Sequence, residues 1–178
     1  MTVEVLRLGH RGERDKRIST HVALTSRALG ADKIIFTCED RHVKESVDRI
    51  VENWGGDFKF EVVNSWKPYV RDFKENNGIV VHLTMYGENI NKTINTIKDE
   101  LRDGKNILII IGAEKVPKEA YELADYNISI GNQPHSEVAS IAIFLDRLFE
   151  GKTLYKEYSN AKIKVIPSKK EKSVILEK

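Results

Sequence analysis

Cysteine is almost missing from this chain. Its 178 residues hold one, Cys38, so no internal disulfide can form. With no CxxC partner and no evident base, Cys38 reads as a small core filler, and a chain so poor in thiols fits a reducing cytoplasm. Long apolar runs are missing as well. None exceeds five residues, the length of Ile107-Leu108-Ile109-Ile110-Ile111, far short of the roughly 20 a membrane-spanning helix needs. The opening residues, MTVEVLRLGHRGERDKR, contain no apolar stretch of the kind a secretory signal carries. His10, His21, His82 and His135 are too scattered for HExxH or another local metal spacing, so no metal is expected. GxGxxG, GxxxxGK[ST] and GxSxG are absent too. That argues against a dinucleotide fingerprint, a Walker-type phosphate loop and a serine hydrolase.

What is there describes a soluble chain with one sizeable core: 40% apolar and 31% charged residues. Net charge is only +2, but it is unevenly spread. From Gly151 onward eight lysines face three glutamates, a local +5 that leaves the first 150 residues at −3. A second basic cluster gathers Arg7, Arg11, Arg14, Lys16 and Arg17 against Glu13 and Asp15. The arginine cluster reads as a polyanion footprint; the lysine tail reads rather as a solvated surface.

Short β-branched runs alternate with amphipathic stretches. Strands are expected at 3–8, 33–37, 58–63, 79–83, 106–111 and 127–130, and helices at 19–29, 41–53, 68–75, 89–102, 118–123 and 136–149. Val43, Val47, Ile50 and Val51 show the helical period plainly. Repeated strand–helix units predict an α/β fold with a mostly parallel sheet covered by helices. Residues 107–111, apolar at every position, should form a central strand buried on both sides. The domain spans residues 1–150, and 151–178 form a basic C-terminal extension with a short edge strand or a partner-docking segment.

In an open parallel sheet, ligands sit beyond the carboxyl ends of the strands. Three of those ends carry unusual loops: Thr84-Met85-Tyr86-Gly87, Gly112-Ala113-Glu114-Lys115-Val116-Pro117 and Gly131-Asn132-Gln133-Pro134-His135. Gly112 and Gly131 each directly follow an isoleucine strand, where backbone can approach a ligand closely. The helix after the last loop is apolar nearly all round, which suits either a dimer seam or a helix buried in a monomer.

"IIIGAEKVP" followed by "ISIGNQPHSEVASIAIFLDRL" resembles the second and third motifs of the SPOUT class of RNA methyltransferases. "LRLGHRGERDKRISTHVALTSRALGA" is similar to one branch of that class, the archaeal tRNA cytidine-56 ribose 2'-O-methyltransferases. The resemblance implies a C-terminal deep trefoil knot, a homodimer and S-adenosylmethionine as cofactor. It places the cofactor against Leu83, Gly112, Ala113, Glu114, Lys115, Val116, Ile130, Gly131, Asn132, Gln133, Pro134, His135, Ser136 and Glu137. It makes tRNA the partner, held by Arg7, Arg11, Arg14, Lys16 and Arg17.

The resemblance also implies that an arginine of the first motif assists methyl transfer across the dimer. The sequence departs from the class there: the usual Asn…Arg stretch reads Ser19-Thr20-His21-Val22-Ala23-Leu24, and the Ser-Leu-Asn run of the third motif reads Ser136-Glu137-Val138. Candidates for the catalytic group are then Arg17, His21 and Arg14, in that order, with a core role for His21 the alternative. His82, opposite in parity to Val81 and Leu83, reads as structural. Rival readings are methylation of another RNA such as rRNA, base methylation, a non-catalytic RNA-binding protein, and an α/β domain for a different adenine ligand.

Overall fold

Every strand of the main sheet runs the same way. The computed structural model describes residues 1–11 and 15–177, and of Lys16 the backbone only. Strands β1 (Val3–Leu8), β2 (Lys33–Phe36), β3 (Lys59–Val62), β4 (Gly78–Asn89), β5 (Asn106–Gly112) and β6 (Tyr126–Ser129) lie in the order β3-β2-β1-β5-β4-β6. All five pairings are parallel. Helices α1 (Lys16–Ala28), α2 (Arg41–Trp54), α4 (Ile90–Arg102) and α6 (Glu137–Phe149) contribute to the core on one face, and α3 (Trp66–Glu75) and α5 (Lys118–Leu123) to that on the other.

β5 is the central strand its composition predicts. Ile107, Ile109 and Ile111 belong to the larger core, Leu108 and Ile110 to the smaller, and none is more than 1% exposed. Each such side chain contributes about 1.5–3 kcal/mol by leaving water, so this strand anchors both layers.

Side-chain caps explain small offsets at helix starts. Asn89 and Ser136 precede α4 and α6 as caps, accepting from the backbone N–H of Asn91 (3.0 Å) and Ala139 (3.2 Å). α1 begins three residues earlier than periodicity suggests, because the Asp15 carbonyl already accepts from Ser19 N at 2.7 Å.

The largest difference from expectation lies in β4. The strand does not stop at Leu83 but continues to Asn89. Leu83 and Glu88 both stand opposite Ile128, so the residues between them arch out of the sheet before Glu88 and Asn89 pair with β6 again. At Gly87 the returning chain comes hard against the backbone of β6: a Cβ there would lie 2.5 Å from the Asn127 carbonyl carbon and the Ile128 nitrogen.

Beyond residue 150 the chain makes a short 3-10 turn (Lys152–Tyr155) and an antiparallel hairpin, β7 (Ile163–Ile166) with β8 (Ser173–Leu176), outside the main sheet. The expected single edge strand is therefore a separate two-stranded unit. It leans on the end of α2. Lys162 N donates to Asn53 O at 3.0 Å, Gly56 N to Ser159 O at 2.9 Å, and the Arg27 guanidinium lies 4.1 Å from the Tyr158 ring centre. Val165, Ile166, Val174, Ile175 and Leu176 of the hairpin are exposed. Among the described residues no helix is long and apolar enough to cross a membrane.

Gly55 is the tightest point of that docking. Its φ is +75°, and a Cβ would overlap the Ser159 carbonyl oxygen. Gly55→Ala should destabilise the protein by about 1–3 kcal/mol, lowering Tm by about 2–4 °C for each kcal/mol. Gly104→Ala has a similar φ of +87° but open space around it, and should cost less. Thermal melts of the pair followed by circular dichroism check both.

Candidate functional site

The strand order reverses direction beside β1: β2 and β3 lie on one side, β5 and β4 on the other. The crevice forms at the carboxyl ends on the second side. A cleft of about 930 Å³ opens there, within the usual range for a ligand pocket. Its walls come from the end of β4 (His82 to Tyr86), the end of β5 with its following loop (Ile111 to Val116), Ile130 and the loop into α6 (Pro134 to Ser136), α5 (Lys118 and Tyr121), and Glu137 and Ser140 of α6. Ile18 of α1 and Arg11 close the remaining side.

The three loops singled out from the sequence therefore meet in one place. Leu83, Gly112, Ala113, Glu114, Lys115, Val116, Ile130, Pro134, His135, Ser136 and Glu137 all line the cleft. Gly131, Asn132 and Gln133 are not part of its wall. Gly131 has φ +146° with no atom near its would-be Cβ, and Asn132 donates from Nδ2 to the Met85 carbonyl at 2.7 Å, tying this loop to the arch of β4. Gly112 lines the cleft with its backbone alone: a Cβ there would meet Val116 Cγ1 at 2.5 Å.

Main-chain polar groups are abundant and unspent at this edge. Among the described residues, neither 114–116 nor 131–135 makes a backbone–backbone hydrogen bond. Their N–H and C=O groups must find water or a ligand. Between them stand the apolar side chains of Leu83, Met85, Ile111, Val116 and Ile130. Such a lining suits a flat heterocycle read by backbone groups and flanked by hydrocarbon.

Sequence reasoning missed the polar floor. His82 is 1% exposed; its Nδ1 lies 2.9 Å from Asn127 Oδ1, and its ring meets Tyr121 edge-on at 4.6 Å. Asn127 Nδ2 donates to the Tyr121 carbonyl at 3.0 Å, which turns Oδ1 toward the imidazole and makes His82 Nδ1 the donor. Thr84 Oγ1 and Tyr121 Oη are 2.9 Å apart. Burial holds the His82 pKa below the ordinary imidazole value, against the opposing effect of its bond to Asn127. The alternation of β4 placed His82 opposite Val81 and Leu83, but nothing in the sequence ties it to Asn127 or Tyr121.

The arginine cluster divides. Arg7, expected on the RNA face, is instead 1% exposed and held by Asp15 (Nη2–Oδ2 3.2 Å), Glu137 (Nη2–Oε1 2.8 Å) and Ser19 (Nη1–Oγ 3.2 Å). A guanidinium whose charge is already answered inside the protein cannot grip a phosphate, so Arg7 is removed from that list. Arg11 stays at the surface with 43% of its side chain exposed, lines the cleft, and donates from Nε to Asp15 Oδ1 at 3.2 Å. Arg17 and His21 are exposed on one side of α1, four residues apart. The core alternative for His21 is thereby excluded, and neither residue lines the cleft of its own chain. Arg14 and the side chain of Lys16 lie outside the described residues. Cys38 is half-buried rather than a full core residue, and burial pushes its thiol pKa up. Among the described residues no group of three or more His, Cys, Asp or Glu is placed to hold a metal ion.

Because burial lowers the pKa of His82, the unfolded chain binds its proton more readily than the folded one. Stability should fall as pH drops through about 6.5, the ordinary imidazole value. His82→Gln should flatten this slope, which urea unfolding between pH 8 and pH 5 would measure.

Residues 54–175 match the family model described as tRNA ribose 2'-O-methyltransferase, aTrm56. A tRNA (cytidine(56)-2'-O)-methyltransferase of Methanococcus maripaludis strain C6 is 75% identical, covering 100% of this chain and 99% of its own. The enzyme of the same name from Methanococcus aeolicus is 75% identical, covering 98% of each. Among solved structures, the SpoU methyltransferase AviRb from Streptomyces viridochromogenes, in complex with the cofactor AdoMet, superposes with a TM-score of 0.57 at 17% identity. That match covers 84% of this chain and 57% of AviRb, and it speaks to the fold alone. With such identity along the full length, this chain belongs to the tRNA ribose 2'-O-methyltransferase family.

Proposed function

We infer that the protein transfers a methyl group from S-adenosylmethionine to the ribose 2'-hydroxyl of cytidine 56 in tRNA. Relatives 75% identical over the whole chain carry that activity in their names. The observation that carries the reading within the structure is the convergence of three strand ends on one cleft with unpaired main-chain groups and apolar walls. These residues fit the cofactor: backbone of 114–116 and 134–135 for the edges of an adenine, and Leu83, Ile111, Val116 and Ile130 for its faces.

The bound cofactor supplies a methyl group on a positively charged sulfur, already activated for in-line displacement. The chain must then align the 2'-oxygen, which is worth up to about 7–11 kcal/mol, and stabilise or remove the charge left as its proton departs. Arg11 at the mouth and Arg17 on α1 suit the first task, since an arginine fork holds phosphate in a fixed orientation. Tyr86, 79% exposed where β4 arches out, offers a flat face to an unstacked base. Arg17 is our first candidate for the second task, followed by His21 and Arg14.

Because Arg17 and His21 stand outside their own chain's cleft, this assignment calls for a homodimer in which α1 of one subunit faces the cleft of the other. α6 supports that seam. Ser140, Ile141, Phe144, Leu145 and Leu148 are covered, whereas Ile143 is 42% exposed beside the half-buried Ala139 and Ala142. The knotted C-terminal path belongs to this proposal on the ground of the family resemblance. We place the enzyme in the cytoplasm with its tRNA and treat residues 151–178 as an appended basic unit.

Incubating the protein with S-adenosylmethionine and an unmodified tRNA transcript, then locating the added mass after nuclease digestion, tests the assignment. A methyl group on the ribose of cytidine 56 is expected; one on another nucleotide or on a base would overturn it. Arg17→Ala should lower kcat by about 10²-fold or more while the affinity for S-adenosylhomocysteine, read by calorimetry, stays within a few-fold. Equal loss of both would remove Arg17 from catalysis. Gly131→Val should weaken cofactor binding, because a branched residue cannot hold φ +146° and the loop would shift.

A further inference from the structure

Arg7 is buried at a point where burial is expensive. A guanidinium loses several kcal/mol on leaving water, and only close counter-charges offset this. Its partners come from three parts of the chain. Asp15 closes the loop before α1, Ser19 sits in the first turns of α1, and Glu137 opens α6. Nη1 also approaches the Gly9 carbonyl at 3.5 Å. One side chain on β1 thus clamps the N-termini of two helices and reaches the Gly9 carbonyl just past its own strand.

The two ends of this clamp face different tasks. Glu137 lines the cleft, and both bonds from Arg7 fall on its Oε1, which leaves Oε2 without a partner among the described residues. At the other end, Asp15 accepts from the Arg11 backbone N–H at 2.8 Å and from Arg11 Nε at 3.2 Å. Asp15 therefore holds the segment that carries Arg11 toward solvent. Its carboxyl pKa is lowered: burial would raise it, but the bonds from Arg11 and Arg7 outweigh burial. Asp15 stays ionised, and Arg7 is gripped from both sides throughout the neutral range.

We propose that Arg7 is a positioning residue that couples the two substrates: occupancy of the cleft, felt at Glu137, fixes through Arg7 and Asp15 the orientation of Arg11 on the surface that receives tRNA. The proposal rests on the cleft being the cofactor site. Filling the cleft orders the Glu137 end, so a tRNA binding afterwards meets an Arg11 already set, and the reverse order gains equally, as linkage requires. Arg7 touches neither reacting atom.

The test compares the affinity for S-adenosylhomocysteine alone and with saturating tRNA transcript, by calorimetry, in the wild type, Arg7→Lys and Glu137→Gln. In the wild type tRNA should tighten cofactor binding by roughly 5–150-fold. Lysine keeps the charge but lacks the planar fork, and glutamine keeps the shape but not the charge. In both variants the tightening should shrink to within about twofold of none, even where each ligand alone still binds. Stability changes alone would not alter that ratio. If Arg7→Lys fails to fold, Glu137→Gln decides. Full tightening in a folded variant would overturn the proposal, as would a wild type whose cofactor affinity ignores tRNA. No binding of S-adenosylhomocysteine to the wild type would instead sink the cleft assignment and the coupling with it.

Discussion

Parallel pairing is the constraint on which this molecule turns. Because all six strands of the main sheet point one way, every loop that leaves a strand end emerges on the same edge. The order β3-β2-β1-β5-β4-β6 then sets the ends of β5, β4 and β6 side by side on that edge, where the cleft opens. β5 makes this possible. Its five apolar residues serve two cores at once, so the strand is fixed from both faces and its end, Gly112, is held still at the cleft.

A second constraint is electrostatic. The buried guanidinium of Arg7 demands carboxylates, and those it collects stand at the starts of α1 and α6. Negative charge also favours those positions because helix N-termini carry partial positive charge. Packing, charge balance and helix dipoles therefore agree at one corner of the cleft. The same corner holds Ile18, Ser140 and Arg11, so hydrocarbon and charge meet within one wall.

Much of this was legible in the sequence, and the reasons differ by element. β5 and α2 declare themselves because apolar spacing reports burial directly. The loops after β5 and β6 stood out because glycine follows isoleucine there, and the structure brings most of those residues to one cleft. The tail of β4 was illegible: Thr84-Met85-Tyr86-Gly87 reads as a loop in composition, and its arch depends on β6 arriving beside it. Arg7 was illegible for a different reason. An arginine at a strand end looks the same in sequence whether it meets phosphate or a buried carboxylate, and Asp15 and Glu137 are distant from each other along the chain. Likewise, the tautomer of His82 is set by Asn127 and Tyr121, which no spacing rule connects to it.

The close approach of Gly87 to the backbone of Asn127 and Ile128 bears on how the chain reaches its native form. Glu88 and Asn89 are made early, yet the strand they must join is synthesised roughly 40 residues later. Their hydrogen bonds therefore wait while α4, β5 and α5 are laid down, and the segment ahead of α4 must stay open until then. Such distant pairing slows assembly, since the entropy of closing a long loop is lost before any contact compensates. Glycine at position 87 leaves room for the β6 backbone when it arrives, so the late pairing closes without a clash.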